Sequence, residues 1–217
     1  KSFFDINSDN EYGNLNLSTK FIKQAERKLR LGFVNENSGD LKNTFGAEDV
    51  FHYTYAVFYS PTYRSRYAEF LKIDFPRLPL TSNVALFRQL CGLGQELVGL
   101  HLLEASVLNK PITTFVIGEN GTTVGSFNKA KAYDKGRVYL DTSLGETSSY
   151  FDGVPEDVYN FHIGGYQVLN KWLYDRRGKK GTPGRTLSEE DIAHYQKIVV
   201  SLQETMQLMA EIDEVIE

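Results

Sequence analysis

The sequence predicts an α+β fold: a helical scaffold, a small antiparallel sheet and a long C-terminal helix. Two long stretches, Ser82 or Asn83 to about Glu104 and Ser188 onward, carry apolar residues at helical spacing. Between them, from about Ile112 to Tyr150, the period shortens to brief β-branched and aromatic runs punctuated by glycine. The chain has 217 residues, 41% hydrophobic and 13% aromatic, enough to bury a full core.

Taken in order, residues 1–17 mix Asn, Asp, Ser and Gly and read as loop or edge strand. Ser18 is placed to cap a short basic helix over Thr19 to Leu31, closed by Gly32. A polar loop to about Gly46 follows, where the least order is expected. Ala47 to Ser60 opens with Glu48 and Asp49, suited to a helix N-terminus, and continues apolar on all sides, as a buried central helix would. Pro61 begins a second helix through Leu71. Pro76 and Pro79 hold Phe75 to Leu80 extended. In the helix after Asn83, Leu86, Leu90, Leu93, Leu97 and Leu100 form one stripe, and Gly92, Gly94 and Gly99 mark close packing.

Thr114 to Ile117, Ala130 to Tyr133 and Arg137 to Leu140 read as strands, with Lys135-Gly136 at a hairpin tip. Pro155 starts a short helix to Phe161, and Tyr166 starts another to about Arg176. Gly178 to Gly184 is a basic glycine loop. Ser188 caps the last helix, with Asp191 at the capping-box position. Its apolar seam is Ile192, Tyr195, Val199, Leu202, Met206 and Met209, and its outer face is acidic. The organisation expected is a lead-in over 1–46, from an upstream domain, and a main domain over 47–217. The chain begins with Lys, as a portion of a longer protein would.

Composition narrows the chemistry. Cys91 is the one cysteine, so no internal disulfide can form, and a reducing, cytoplasmic location is expected. No run approaches the roughly 18 apolar residues of a membrane span, and there is no signal-peptide pattern. Cys91 sits in an apolar helix pattern, as a structural thiol does. His52, His101, His162 and His194 are scattered without metal-ligand spacing. Gly92-x-Gly94 lacks the rest of a dinucleotide fingerprint, and no Walker A motif occurs. No catalytic residue and no metal ligand is assigned, and no cofactor is expected in this fragment. A small hydrolase using His162 or His194 with a carboxylate has no supporting spacing.

The net charge of −4 argues against nucleic-acid binding by the chain as a whole, but the distribution is uneven. Lys171, Arg176, Arg177, Lys179, Lys180 and Arg185 face Asp175 alone. Lys129, Lys131, Lys135 and Arg137 form a second group on the hairpin, and Arg64, Arg66, Lys72 and Arg77 a third. Such groups neutralise phosphates, and arginine can read guanine edges. Taken singly, each is also what a solvated face looks like. Gly164-Gly165 before Tyr166 admits two readings: free N–H groups for a phosphate at a helix start, or a tight turn. Trp172 reads as core. Glu189, Glu190 and Asp191, and Glu211, Asp213 and Glu214, read as a solvated helix face. That acidic helix supports a rival reading, a protein–protein interaction scaffold.

The run His52 to Tyr67, then Leu71 to Leu80, Phe161 to Val168, Lys171-Trp172-Leu173, and Leu187-Ser188 through Ile198 resembles the C-terminal specificity domain of type ISP restriction–modification enzymes. The resemblance covers about residues 47 to 217, with separated motifs in the right order. It implies a target-recognition module for duplex DNA. An adenine methyltransferase, with helicase-like ATPase and nuclease, would lie upstream in the same polypeptide; related chains fuse the domain to a methyltransferase alone. S-adenosylmethionine, ATP and Mg are then expected of the parent protein. No Asp-Pro-Pro-Tyr-like segment, which would hold a flipped base, occurs in this chain. Phosphate contacts are expected from Arg64, Arg66, Lys171, Arg176 and Lys180, and base contacts near Lys131, Lys135 and Arg137. Base-reading residues are expected within about 109–150 and 175–186, where the 178–184 loop looks inserted.

Overall fold

The computed structural model describes residues 16–216; the loop expected over 1–17 falls almost wholly outside them. The described chain is α+β, with the long C-terminal helix expected from its seam. It divides into two compact units, described separately: residues up to Gly99 with those from Met206 onward, and Leu100–Thr205. Both divisions fall inside the two longest helices.

In the first unit, α1 (Thr19–Leu29) begins where Ser18 Oγ accepts from Phe21 N at 3.2 Å. It ends earlier than the sequence suggests, because Arg30 adopts the left-handed conformation at φ 56° and closes the helix itself. Gly32 instead enters a strand. The polar loop is ordered by a parallel pair, β1 (Gly32–Phe33) with β2 (Thr44–Phe45). Within it Asp40 Oδ1 accepts from the backbone of Lys42, Asn43 and Thr44 at 2.7–2.9 Å, and these bonds hold its carboxyl far below the usual range.

Helix α2 (Ala47–Tyr59) buries Val50, Tyr53, Ala56 and Val57, but Phe51 points outward, so the helix is not buried all round. Chain continuation after Pro61 is broken at Tyr67 into α3 (Pro61–Arg66) and α4 (Ala68–Leu71). Asp213, expected on a solvated face, instead accepts from Ser60 Oγ, Thr62 N and Thr62 Oγ1 at 2.5–3.0 Å at the start of α3. Asn83 Oδ1 accepts from Ala85 N and Leu86 N at the start of α5 (Val84–His101). The buried face of α5 runs through Phe87, Leu90, Cys91 and Leu97, rotated from the leucine stripe. Of its glycines, Gly94 is a close-packing site, since a Cβ there would lie 1.9 Å from the His52 carbonyl oxygen; Gly92 faces open space.

In the second unit four short strands form an antiparallel sheet. β3 (Thr114–Val116) pairs with β6 (Tyr150–Asp152), β6 with β5 (Arg137–Tyr139), and β5 with β4 (Tyr133–Asp134). Lys135 and Gly136 are the two-residue turn, both at positive φ, as a tight hairpin requires. Lys129–Lys131 is a 3-10 turn rather than a strand, because Asn128 caps it and its side chains stay outside the ladder. Phe151 and Tyr195 stack at 4.2 Å in the core beneath the sheet, with Val138, Leu140, Leu169 and Leu173 also buried.

After α6 (Glu156–Asn160), β7 (His162–Ile163) and β8 (Tyr166–Gln167) form a hairpin about Gly164-Gly165, at φ 57° and 82°. Helix α7 (Val168–Arg176) therefore starts two residues later than Tyr166. Last comes α8 (Glu189–Ile216), where Ser188 and Asp191 exchange both capping-box hydrogen bonds at 3.2 Å. Along α8, Tyr195, Val199 and Leu202 of the expected seam are buried, Ile192, Met206 and Met209 are only half-buried, and Leu208 and Ile212 are buried in their place.

Candidate nucleic-acid interface

The basic residues of the second unit do not stay where the sequence groups them. At the end of α7, Arg177 lays its guanidinium over the Tyr174 ring at 3.4 Å, and Lys129 Nζ sits 5.0 Å from the same ring. Arg177 also donates to the Tyr174 carbonyl oxygen at 2.5 Å. One aromatic ring thus gathers a cation from the sheet side and one from the helix end.

The 178–184 loop is fixed at its base against the strand-like segment 122–125. Gly178 N donates to the Val124 and Gly125 carbonyls at 3.1 Å, and Val124 N donates to the Arg185 carbonyl at 2.9 Å. A Cβ on Gly184 would lie 1.6 Å from the Val124 carbonyl oxygen, so only glycine fits that crossing. Lys179 and Thr182 bridge across the tip, where Gly181 takes φ 82°. The loop is a small rigid projection, and Lys179 and Lys180 are exposed on it without an ion-pair partner among the described residues.

Other cations are partly spent. Arg176 stacks on Trp172 at 3.6 Å and donates to its carbonyl oxygen at 2.9 Å; burial first, and then the charge of Arg185, pull its pKa down. Trp172, expected in the core, is only half-buried and serves as a stacking partner. Arg185 grips both oxygens of Asp191 at 2.8 and 2.9 Å. Asp191 is held low in pKa by the Ser188 N–H and then by Arg185. Lys171 pairs with Asp175 and lies 5.7 Å from the Tyr166 ring. Arg137 pairs with Asp152 at 3.3 Å, its neighbour across the sheet, and lies 4.8 Å over Tyr150. Lys131 and Lys135 are exposed, Lys135 at the hairpin tip.

Arg64, Arg66 and Arg77 belong to the first unit. Arg64 Nε donates to the Phe58 carbonyl at 2.6 Å, Arg77 lies over the Phe70 ring at 4.9 Å, and Arg66 is exposed beside a pocket of about 220 Å³ lined by Tyr53, Tyr63 and Tyr67. Gly164 and Gly165 make the tight turn between β7 and β8, so the phosphate cradle at a helix start is not formed there. Tyr166 is exposed on that hairpin. His162 Nδ1 meets the Asn160 carbonyl at 2.6 Å and His194 stacks near Trp172; neither pairs with a carboxylate among the described residues. Sequence reasoning missed Tyr174, whose signal is its place three residues before Arg177.

The geometry defines a class: an α+β binding module with a preorganised cationic surface. A model of the Type ISP C-terminal specificity domain matches residues 5–211, and the chain belongs to that family. Among the solved structures that share its fold are three DNA complexes. One is a nuclease-deletion mutant of the Type ISP restriction-modification enzyme LlaGI in complex with a DNA substrate mimic, at 22% identity and TM-score 0.58, covering 78% of this chain and 14% of that one. A second is the ATP-dependent Type ISP enzyme LlaBIII bound to DNA, at 20% identity and TM-score 0.57, covering 76% and 11%. A third is a DrdV–DNA complex, at 23% identity and TM-score 0.63, covering 92% and 20%. The chain therefore spans a fifth or less of the length of these proteins. No curated protein matches the sequence. Among the described residues no helix is long and apolar enough to cross a membrane, and no group of His, Cys, Asp and Glu could hold a metal ion.

Proposed function

We propose that this chain is the DNA target-recognition module of a restriction–modification enzyme or adenine-specific methyltransferase. One observation carries the reading: Lys129, Arg177 and the pinned, unpaired lysines of the 178–184 loop are held by one framework in a chain that is acidic overall. Arg177 is already ordered by the Tyr174 ring and the loop backbone is already fixed, so less freedom is lost when these cations meet phosphates, and a loop of this size can enter a major groove. Membership in the specificity-domain family and the DNA-bound proteins of the same fold support it.

Recognition would be carried by residues 47–217, with 1–46 leading in from an upstream methyltransferase. S-adenosylmethionine, ATP and Mg belong in this reading to that upstream portion. Lys131 and Lys135 add phosphate or base contacts from the sheet hairpin. Arg137, Lys171 and Arg185 contribute only after exchanging a carboxylate for a phosphate. The scaffold reading is weakened by the burial of Tyr195, Val199 and Leu202 in the α8 seam and by the internal use of Asp191 and Asp213.

The test is fluorescence anisotropy on mixed-sequence duplex DNA over a salt series, with Lys179→Glu/Lys180→Glu beside the natural chain. Affinity should fall in the variant, and the log–log salt slope should shrink by about two. Binding that ignores both salt and the charge reversal would sink the proposal.

A further inference from the structure

In the first unit, the segment from Tyr67 to Arg77 places apolar side chains in water. Ile73 and Phe75 are each 87% exposed, with Tyr67 and Phe70 exposed beside them. A slack loop would fold back to hide such groups. This one is held open. The Tyr63 and Tyr53 hydroxyls donate to the carbonyls of Arg77 and Pro79 at 2.8 and 2.6 Å, and Lys28 Nζ donates to the Leu80 carbonyl at 2.9 Å. Pro76 and Pro79 fix their own backbone angles. On the other side, Ile73 N and Asp74 N both donate to the Phe70 carbonyl at 3.0 Å. The apolar tip thus projects from a braced frame.

Its surroundings are cationic. Arg64, Arg66, Lys72 and Arg77 outnumber Glu69, Asp74 and the Asp213 held at the start of α3. Arg66 has no ion-pair partner among the described residues. The pairs Lys72–Glu69 at 2.6 Å and Arg77–Asp74 at 3.9 Å are largely exposed, so their cations exchange readily for phosphates. Asp74 is turned back on the tip, its Oδ1 accepting from Phe75 N at 2.8 Å. An apolar point flanked by cations complements a duplex, in which phosphates lie on both sides of every base step. A protein partner would have to match the same cations around its own apolar socket.

We propose that Ile73 and Phe75 form a wedge that enters a base step of duplex DNA and partly unstacks it, with Arg66, Lys72 and Arg77 on the flanking phosphates. Side chains of this kind kink DNA by insertion, and flexible pyrimidine–purine steps yield most readily. The proposal rests on the DNA-recognition reading above but concerns a different unit and a different kind of contact.

The experiment uses the intact polypeptide and duplexes that it enriches from a random pool, with 2-aminopurine replacing each adenine in turn. A rise in fluorescence at one step reports unstacking. Phe75→Ala should abolish that rise and weaken binding by about tenfold to a hundredfold, with the salt slope unchanged because no phosphate contact is lost. Its thermal midpoint should not move, since Phe75 packs against little. Steep salt-dependent binding with no fluorescence change, or a Phe75→Ala variant equal to the natural protein, overturns the wedge and leaves the recognition reading standing. Failure of the natural protein to bind any duplex removes both.

Discussion

Gly92 and Gly94 lie two residues apart in α5, yet alanine should move stability in opposite directions at the two sites. Replacing glycine by alanine inside a helix gains about 1 kcal/mol of helix propensity. At Gly92 nothing lies within 4 Å of the added Cβ, so the gain is realised in full. At Gly94 the Cβ would stand 1.9 Å from the His52 carbonyl oxygen, against 3.4 Å where ordinary contact begins. The two helices would have to part by about 1.5 Å, the difference of those distances. Overpacking of a rigid contact costs about 1–3 kcal/mol, and here the obstacle is backbone, so the upper end applies. The net expectation is about +1 kcal/mol for Gly92→Ala and about −2 kcal/mol for Gly94→Ala. Urea denaturation followed by circular dichroism reads both, and thermal midpoints should separate by roughly 6–12 °C in a chain of this size. Equal shifts of one sign would refute the contact between α5 and α2 at this point.

Two further outcomes follow from buried and hydrogen-bonded groups. Asp40 has a folded pKa depressed by the Asn43, Thr44 and Lys42 N–H groups, so its contribution is present above the ordinary value of 3.8 and is lost as pH falls through the folded value. The stability gap between the natural chain and Asp40→Asn, measured by denaturation over a pH series, should be widest near neutrality and narrow below about pH 4. Cys91 is buried, donates to the Asp49 carbonyl at 3.2 Å, and has its thiol pushed up by burial. A chromogenic disulfide reagent should label it only as fast as the first unit opens; immediate labelling at neutral pH would contradict the packing.

What the sequence made legible is local. The Lys135-Gly136 turn needs two positive φ values, and the Ser188–Asp191 capping box needs only its own spacing. Strand β6 escaped because Tyr150 to Asp152 is a strand by virtue of partners on both sides, 34 or more residues away on one of them, as with Val116 against Tyr150. The hairpin around Gly164-Gly165 escaped for a different reason: its pairing is local, but two-residue strands are too short to show a period. For the candidate site, the cations were visible and their state of pairing was not. Arg137 is neutralised by Asp152 only because the register of β5 on β6 sets the two opposite each other. Asp213 likewise reads as one more acidic residue on a helix until Ser60 and Thr62 are brought to it.

Arg176 and Arg177 show how far adjacent, chemically identical residues diverge once the chain folds. Arg176 is folded inward: its guanidinium covers Trp172, its Nη1 caps the Trp172 carbonyl, and its buried Nε has no hydrogen-bond partner. Burial and the nearby charge of Arg185 both act against its own charge, and the side chain completes the packing edge over Trp172. Arg177 lies over the Tyr174 ring, which Lys129 also approaches, and stacking there orients the guanidinium. Reversing both charges together would mix a loss of packing with a loss of affinity. Reversal at Lys179 and Lys180, which are exposed on a loop whose base is locked to Val124, changes the field at the surface and leaves the core edge intact. The framework that fixes the loop is built from glycine crossings and backbone bonds, so substitutions at its exposed tip can change what it meets without changing how it is held.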